Sequence, residues 1–239
     1  MNKKIILVTG ANRGIGLELT RLLLAQKTFS VLFSCRNITD GKVKLAELSK
    51  IDSDIHLIEL DVSNLSKITS SIYDILMKYG KIDVLVNNAG VYLDSEDLDE
   101  FPSFMDVTPE ILEQTFNTNL FGSMILSQAS LPVLSTNGLI INITSGGGKL
   151  NTSGDRSGHI AYRTSKTALN AFTKAFSKQK NPKNVKMIAI CPGWVQTEMG
   201  GPNAPRTVYE GANDILKAIL NSQNYIPGSF LYNSIEQKL

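Results

Sequence analysis

The stretch Lys4-Ile5-Ile6-Leu7-Val8-Thr9-Gly10-Ala11-Asn12-Arg13-Gly14-Ile15-Gly16 decides how the chain is read. A short run of apolar, β-favouring residues ends in a glycine turn, and Leu17, Leu19 and Leu22–Leu24 then recur as on a helix. Glycines at Gly10, Gly14 and Gly16 allow a tight turn and the close approach of a pyrophosphate. The helix that follows would offer unpaired N–H groups and the positive end of its dipole. The spacing is Gly-xxx-Gly-x-Gly rather than the more common Gly-x-Gly-xx-Gly. In this strand–turn–helix context, Gly10, Asn12, Arg13, Gly14, Ile15 and Gly16 are candidates for holding a dinucleotide.

The same alternation continues along the chain. Strands are expected at Lys4–Thr9, Phe29–Cys35, Ile55–Leu60, Ile82–Asn87, Gly138–Thr144 and Lys186–Cys191, with a weaker one at Gly228–Tyr232. Most are apolar throughout, as expected where both faces of a sheet are covered. Helices are expected at Gly16–Lys27, Gly41–Lys50, Ser66–Tyr79, Pro109–Leu134, Ala161–Lys178 and Val208–Asn221. Ala168, Leu169, Phe172, Ala175 and Phe176 read as the packing stripe of the fifth, and Asp61 and Ser63 as caps of the third. Repeated strand–helix–strand units imply an α/β fold, a single doubly wound parallel sheet flanked by helices, over residues 1–239.

Composition narrows the class. At 239 residues, with 42% hydrophobic and 19% charged residues and a net charge of +2, the chain reads as a globular domain. No basic run suggests nucleic acid, and no apolar stretch is long enough for a membrane helix. The expected location is cytoplasmic, although Gln237-Lys238-Leu239 differs at one residue from the Ser-Lys-Leu peroxisomal address. Cys35 and Cys191 read as buried reduced thiols. No metal is expected, since His56 and His159 lack ligand-spaced companions, and His159 reads as a loop histidine.

Two stretches break the alternation, Val91–Val107 and Gly146–Gly158, and both follow strand carboxyl ends, where ligands bind in open α/β sheets. Around the second lies a chemical set. Tyr162 stands seventeen positions after Ser145, and Lys166 follows it one helical turn on. Tyr and Lys at i and i+4 share a helix face, and an ammonium beside a phenol lowers the phenol's pKa. That makes Tyr162 a candidate general acid–base.

The cofactor's ribose is read about 20 residues past the glycines, where an acid would bond the 2′-hydroxyl of NAD. Here Arg36 stands twenty residues beyond Gly16, with Arg13 inside the turn. Two guanidiniums suit a 2′-phosphate, so NADP(H) is expected.

With Thr9–Gly16, Asn87-Asn88-Ala89-Gly90, Asn119, Ser145, Tyr162 and Lys166 in order, the chain resembles the short-chain dehydrogenase/reductase family over nearly its whole length. Cys191-Pro192-Gly193-Trp194-Val195-Gln196-Thr197 and the segment Tyr162–Asn170 make it most similar to the NADPH-dependent carbonyl reductases and to sniffer and C-factor-like proteins. The resemblance implies a Rossmann-type domain with a seven-stranded parallel sheet, in line with the seven strand candidates. It implies that Tyr162 protonates a carbonyl oxygen and that Ser145 polarises it. Lys166 would bind the nicotinamide ribose and lower the tyrosine pKa, and Asn119 would hold a water in a relay to Lys166.

By the same resemblance Thr197 bonds the nicotinamide carboxamide, Asp61 the adenine amino group, and Asn87 passes beneath the adenosine ribose. Val62, Ala89, Gly90, Pro192, Gly193 and Val195 join them as cofactor contacts. The expected partner is a small-molecule carbonyl substrate, and the family's usual pairing implies a homodimer or tetramer. The Ser145–Tyr162 interval is longer than the family's common one but fits the sniffer-like group. The alternatives are an NAD-dependent alcohol or polyol dehydrogenase and a C-factor-like signalling protein that binds cofactor. Trp194 and Met199–Arg206 are expected to shape the pocket, and the latter segment, with Gly200, Gly201, Pro202 and Pro205, to close over the substrate.

Overall fold

Leu7 and Val8 neighbour one another in sequence but belong to different cores, and this is why the first strand is apolar at every position from Ile5 to Val8. Ile6 and Val8 face a cluster with Val31, Phe33, Val84, Val86 and Ile141, while Leu7 faces a second one with Leu32, Leu85 and Ile140. Successive side chains of a strand point to opposite faces, so a sheet covered on both sides needs apolar residues at odd and even positions alike. The computed structural model describes residues 3–94, 106–150 and 159–237.

The strands are β1 (Lys4–Val8), β2 (Phe29–Cys35), β3 (Ile55–Glu59), β4 (Ile82–Asn87), β5 (Leu134–Ile143), β6 (Lys186–Cys191), β7 (Phe230–Tyr232) and β8 (Ile235–Gln237). They form one sheet in the order β3-β2-β1-β4-β5-β6-β7-β8. The first seven run parallel, and β8 is antiparallel to β7. The expected seven-stranded parallel sheet is thus extended by one edge strand. A tight reversal at Asn233 and Ser234, both at positive φ, turns the chain back on itself. The fold is a single α/β domain of Rossmann type.

Helices α1 (Gly14–Ala25), α2 (Ile38–Leu48) and α7 (Val208–Leu220) flank the sheet together with α3 (Leu65–Tyr79), α4 (Pro109–Phe116), α5 (Gly122–Ser130) and α6 (Ile160–Phe176). The long helix expected over Pro109–Leu134 is interrupted. A π-helical turn at Asn117–Phe121 separates α4 from α5, and α5 ends at Ser130 before Pro132. α3 starts after Asn64 without a side-chain cap, so Asp61 and Ser63 do not cap it. Asp61 Oδ1 instead accepts from the Ser63 N–H at 3.0 Å and the Ser63 hydroxyl at 2.7 Å.

The stripe read on α6 is also revised. Leu169 is buried and Phe172 and Phe176 pack on the second core, but Ala175 is exposed. The buried face carries Ser165, Lys166, Asn170 and Thr173. That inner face is polar because it works beside the site rather than only in the core. Thr173 Oγ1 accepts from Asn142 at 2.9 Å, and Asn142 accepts from Asn87 at 2.8 Å, tying α6 to β5 and β4.

The strand order reverses between β1 and β4, the switch point at which the carboxyl ends of such sheets bind ligands. A cavity of about 1470 Å³ opens there.

Candidate active site

The glycine turn sits as the sequence suggested, with Gly10 at φ 60° and Gly14 at φ 52°. A Cβ on Gly16 would lie 2.5 Å from the Gly10 carbonyl oxygen, so that glycine closes α1 onto the turn and does not line the cavity. Asn88, quoted in the motif but not singled out as a site residue, holds the turn from β4. Its Nδ2 donates to Thr9 O at 2.8 Å and Gly10 O at 3.1 Å.

Gly10, Asn12, Arg13, Gly14, Ile15, Arg36, Asp61, Val62, Ala89 and Gly90 line the cavity. Ser145, Tyr162, Lys166, Pro192, Gly193, Val195 and Thr197 line it too, and the two groups adjoin where Gly14 nears Thr197 and Gly90 nears Lys166. Asn87 does not, since its Nδ2 is spent on Ser127 and Asn142 in the interior. The turn residue Asn88, and not the strand residue, therefore faces the cavity.

This lining suits a nicotinamide dinucleotide. The first turn of α1 has no side-chain cap and no acidic residue, so its N–H groups are offered to an anion. Arg36 follows β2 where an acid would select against a 2′-phosphate. Arg13 differs from expectation, because it forms an ion pair with Glu198 of the loop after β6. That pair crosses the cavity mouth, and Thr197 beside it comes within 3.3 Å of where a Gly14 Cβ would stand.

Ser145 opens a short 3-10 turn at Gly146–Gly148, its hydroxyl accepting from Gly147 N–H at 3.1 Å. The triple glycine packs against α6. A Cβ on Gly148 would lie 2.8 Å from the Lys166 carbonyl carbon, and Asn170 donates to Gly148 O at 3.1 Å. Cys191 Sγ accepts from the Gly146 N–H at 3.0 Å, so this buried thiol anchors the turn that carries Ser145.

Tyr162 and Lys166 share the inner face of α6, with Nζ 5.8 Å from the ring centre. The expected lowering of the tyrosine pKa is not what the surroundings produce. Burial pushes the Tyr162 phenol up to about 12, against a hydrogen bond with Ser145 that pulls it back. Burial pushes Lys166 down to about 8, and its ammonium donates to Ile143 O at 2.9 Å. Desolvation disfavours the charged form of each and is the largest cause of both shifts.

Asn119 is fully buried in the π-helical turn and does not line the cavity. Its Oδ1 accepts from the Val91 N–H at 2.8 Å, and its Nδ2 donates to Val91 O at 2.9 Å and Ser165 Oγ at 3.1 Å. A Cβ on Gly90 would stand 3.3 Å from Asn119 Oδ1 and 3.6 Å from Lys166 Nζ, so the bare glycine keeps these two groups in one space. Gly122, the glycine of Asn-xx-Gly, lets α5 meet the cavity wall at Val62, because a Cβ there would lie 2.3 Å from Val62 O.

His159, expected to be a loop residue, lines the cavity and packs at a tilt against Tyr92, ring centres 5.0 Å apart; Tyr92 in turn packs edge-on to Tyr162 at 4.7 Å. Burial pushes the His159 pKa down, against the pull of Asp94. The Pro192–Gly193 corner is fixed by Arg206, which donates to Pro192 O at 2.6 Å and pairs with Asp214 at 2.7 Å. Trp194 Nε1 donates to Gly200 O at 2.7 Å and folds the Met199–Arg206 segment onto the mouth. Of the loops Val91–Val107 and Gly146–Gly158, residues 95–105 and 151–158 lie outside the described residues, as do Lys238 and Leu239.

The family model described as short chain dehydrogenase matches residues 4–207. Carbonyl reductase 3 (NADPH) of Rattus norvegicus is 29% identical over 251 aligned residues, covering 87% of this chain and 88% of its own. Among solved structures, the carbonyl reductase Sniffer of D. melanogaster superposes with a TM-score of 0.85 at 32% identity, covering 98% of this chain and 97% of its own. The NADPH-bound carbonyl reductase from chicken fatty liver superposes with a TM-score of 0.84 at 28% identity, with 98% of each chain covered. No helix among the described residues is long and apolar enough to cross a membrane.

Proposed function

The chain belongs to the short-chain dehydrogenase family, and on that premise we propose that it is a carbonyl-reductase-like oxidoreductase that reduces an aldehyde or ketone with NADPH, Tyr162 donating the proton. The observation that carries this reading is the meeting of Ser145, Tyr162 and Lys166 in one cavity with the uncapped start of α1 and with Arg36.

When bound, the cofactor supplies the hydride, which is its own chemistry. The chain's residues supply binding, orientation and a proton. The N–H groups at the start of α1 take the pyrophosphate, and Arg36 takes the 2′-phosphate, joined by Arg13 when it leaves Glu198. Asp61 keeps an oxygen for the adenine amino group, Thr197 meets the carboxamide, and Lys166 meets the nicotinamide ribose. Ser145 and Tyr162 hold the carbonyl oxygen between two hydroxyl donors. Negative charge grows on that oxygen as the carbonyl is reduced, so these bonds strengthen most in the transition state.

The buried setting of Tyr162 suits a proton donor in the free protein. A phenol held up at about 12 keeps its proton at neutral pH, so Tyr162 starts as an acid. Arg36 favours NADPH over NADH.

The test is a screen of purified protein against aldehydes, ketones and quinones, following NADPH consumption with NADH in parallel. Turnover with NADPH, and slower turnover with NADH, is expected. NADPH binding without turnover of any carbonyl would favour a C-factor-like signalling role, and faster turnover with NADH would favour the dehydrogenase.

A further inference from the structure

Helix α6 carries Tyr162, yet nothing at its own start caps it. His159, the residue before it, sits at φ 54° in the left-handed region, and its side chain makes no cap bond. The first N–H groups of a helix need outside partners. The Tyr162 N–H finds one in Asp94 Oδ2 at 3.2 Å, 68 positions earlier in sequence, on the segment that leaves β4.

Asp94 is 4% exposed, and its second oxygen, Oδ1, is shielded without a hydrogen-bond partner. A buried carboxylate with one oxygen unsatisfied is costly. The positive end of the α6 dipole offsets part of that cost. Nor does Asp94 line the cavity, so it does not meet a bound molecule there directly.

The segment is also held at its other end. Asn119 binds both the N–H and the C=O of Val91, and it donates to Ser165 Oγ. Ser165 Oγ in turn donates to Tyr162 O at 2.7 Å. The circuit from Asn119 through Val91, Asp94 and Tyr162 to Ser165 closes on itself, with the N–H and the C=O of Tyr162 both inside it. Tyr92, between these anchors, fills the space against the Tyr162 ring.

We propose that Asp94 is a positioning residue for the reaction, fixing the Tyr162 phenol against Ser145 by capping α6 at the Tyr162 amide. This rests on the reading of Tyr162 as proton donor. Asp94 acts through Tyr162 and touches neither substrate nor cofactor.

The experiment compares Asp94→Ala and Asp94→Asn with the native protein in kcat, carbonyl KM and NADPH affinity, together with amide exchange in the first turn of α6. Asp94→Ala should lower kcat about tenfold or more while KM and NADPH affinity stay within about twofold, since a small displacement of a reacting group costs on that scale. Its Tyr162 amide should exchange faster. Asp94→Asn keeps an oxygen acceptor and should restore kcat to within about threefold, because Asn caps as well as Asp.

Native kcat and native exchange in Asp94→Ala would overturn the proposal. So would equal losses of kcat and NADPH binding in both variants, which would assign Asp94 to folding alone. Should Asp94→Ala not fold, Asp94→Ser replaces it, its shorter hydroxyl unable to span to the Tyr162 amide; native kcat there also overturns the proposal. A native protein that turns over no carbonyl removes the functional reading, and the exchange measurement then still decides whether Asp94 holds α6. Native turnover with an unaffected Asp94→Ala removes only this inference.

Discussion

Lys166 reaches past Tyr162, its Nζ 5.8 Å from the ring centre and donating to the Ile143 carbonyl at 2.9 Å. One α6 face therefore carries two groups whose buried setting moves them in opposite directions, the phenol up to about 12 and the ammonium down to about 8.

This gives a pH prediction with a definite sign. Below about 8 Lys166 carries its charge, and above it the charge is lost, while Tyr162 stays protonated throughout. The profile of kcat/KM for NADPH reports the free enzyme and should fall above that point. In Lys166→Arg, whose guanidinium does not titrate in this range, the remaining activity should lose that limb. A limb that stays in place in Lys166→Arg would assign it to another group.

Arg36→Asp replaces the cation after β2 with the acid that NAD-binding relatives of this turn use. The ratio of kcat/KM for NADPH over NADH should drop about tenfold to a hundredfold, the range of one or two charged hydrogen bonds. An unchanged ratio would remove Arg36 from cofactor selection.

Glu198→Gln releases Arg13 from its partner across the cavity mouth. Both side chains are largely exposed, at 59% and 77%, so the melting temperature should barely move. NADPH should bind about threefold more tightly once Arg13 is free, the scale of one solvent-exposed charge pair. Weaker NADPH binding in this variant would mean that the Arg13–Glu198 pair itself closes over the cofactor.

Gly122→Ala places a methyl where the Val62 carbonyl already stands. Overpacking of this kind costs about 1–3 kcal/mol. Thermal melting should show it as a drop of roughly 2–4 °C for each kcal/mol in a chain of this size. Native stability in this variant would mean that α5 can shift without loss.

Much of this was legible beforehand, for reasons that differ from residue to residue. The strands were readable because both sheet faces are covered, so Ile6, Leu7 and Val8 are all apolar. The glycine turn was readable because its positive-φ positions, Gly10 and Gly14, suit glycine. Ser145, Tyr162 and Lys166 were readable as chemistry, and the structure brings them into one cavity.

Other features follow from packing that no local pattern records. The π-helical turn at Asn117–Phe121 looks like continuous helix in sequence, and only the bonds from Asn119 to Val91 show what it is for. The tyrosine pKa depends on burial, which the Tyr-xxx-Lys spacing does not contain. Asp94 lies in the Val91–Val107 stretch that breaks the strand–helix alternation, and its contact with Tyr162 spans 68 positions. The eighth strand is three residues long, too short to announce itself by alternation.

The central claim is that Tyr162 donates the proton in an NADPH-dependent carbonyl reduction, and the most direct measurement is the turnover of Tyr162→Phe on a carbonyl that the native protein reduces. Loss of the hydroxyl should lower kcat by about a hundredfold or more, the scale of a general acid, with NADPH affinity unchanged. A Tyr162→Phe protein that reduces the same carbonyl at the native rate would contradict the account.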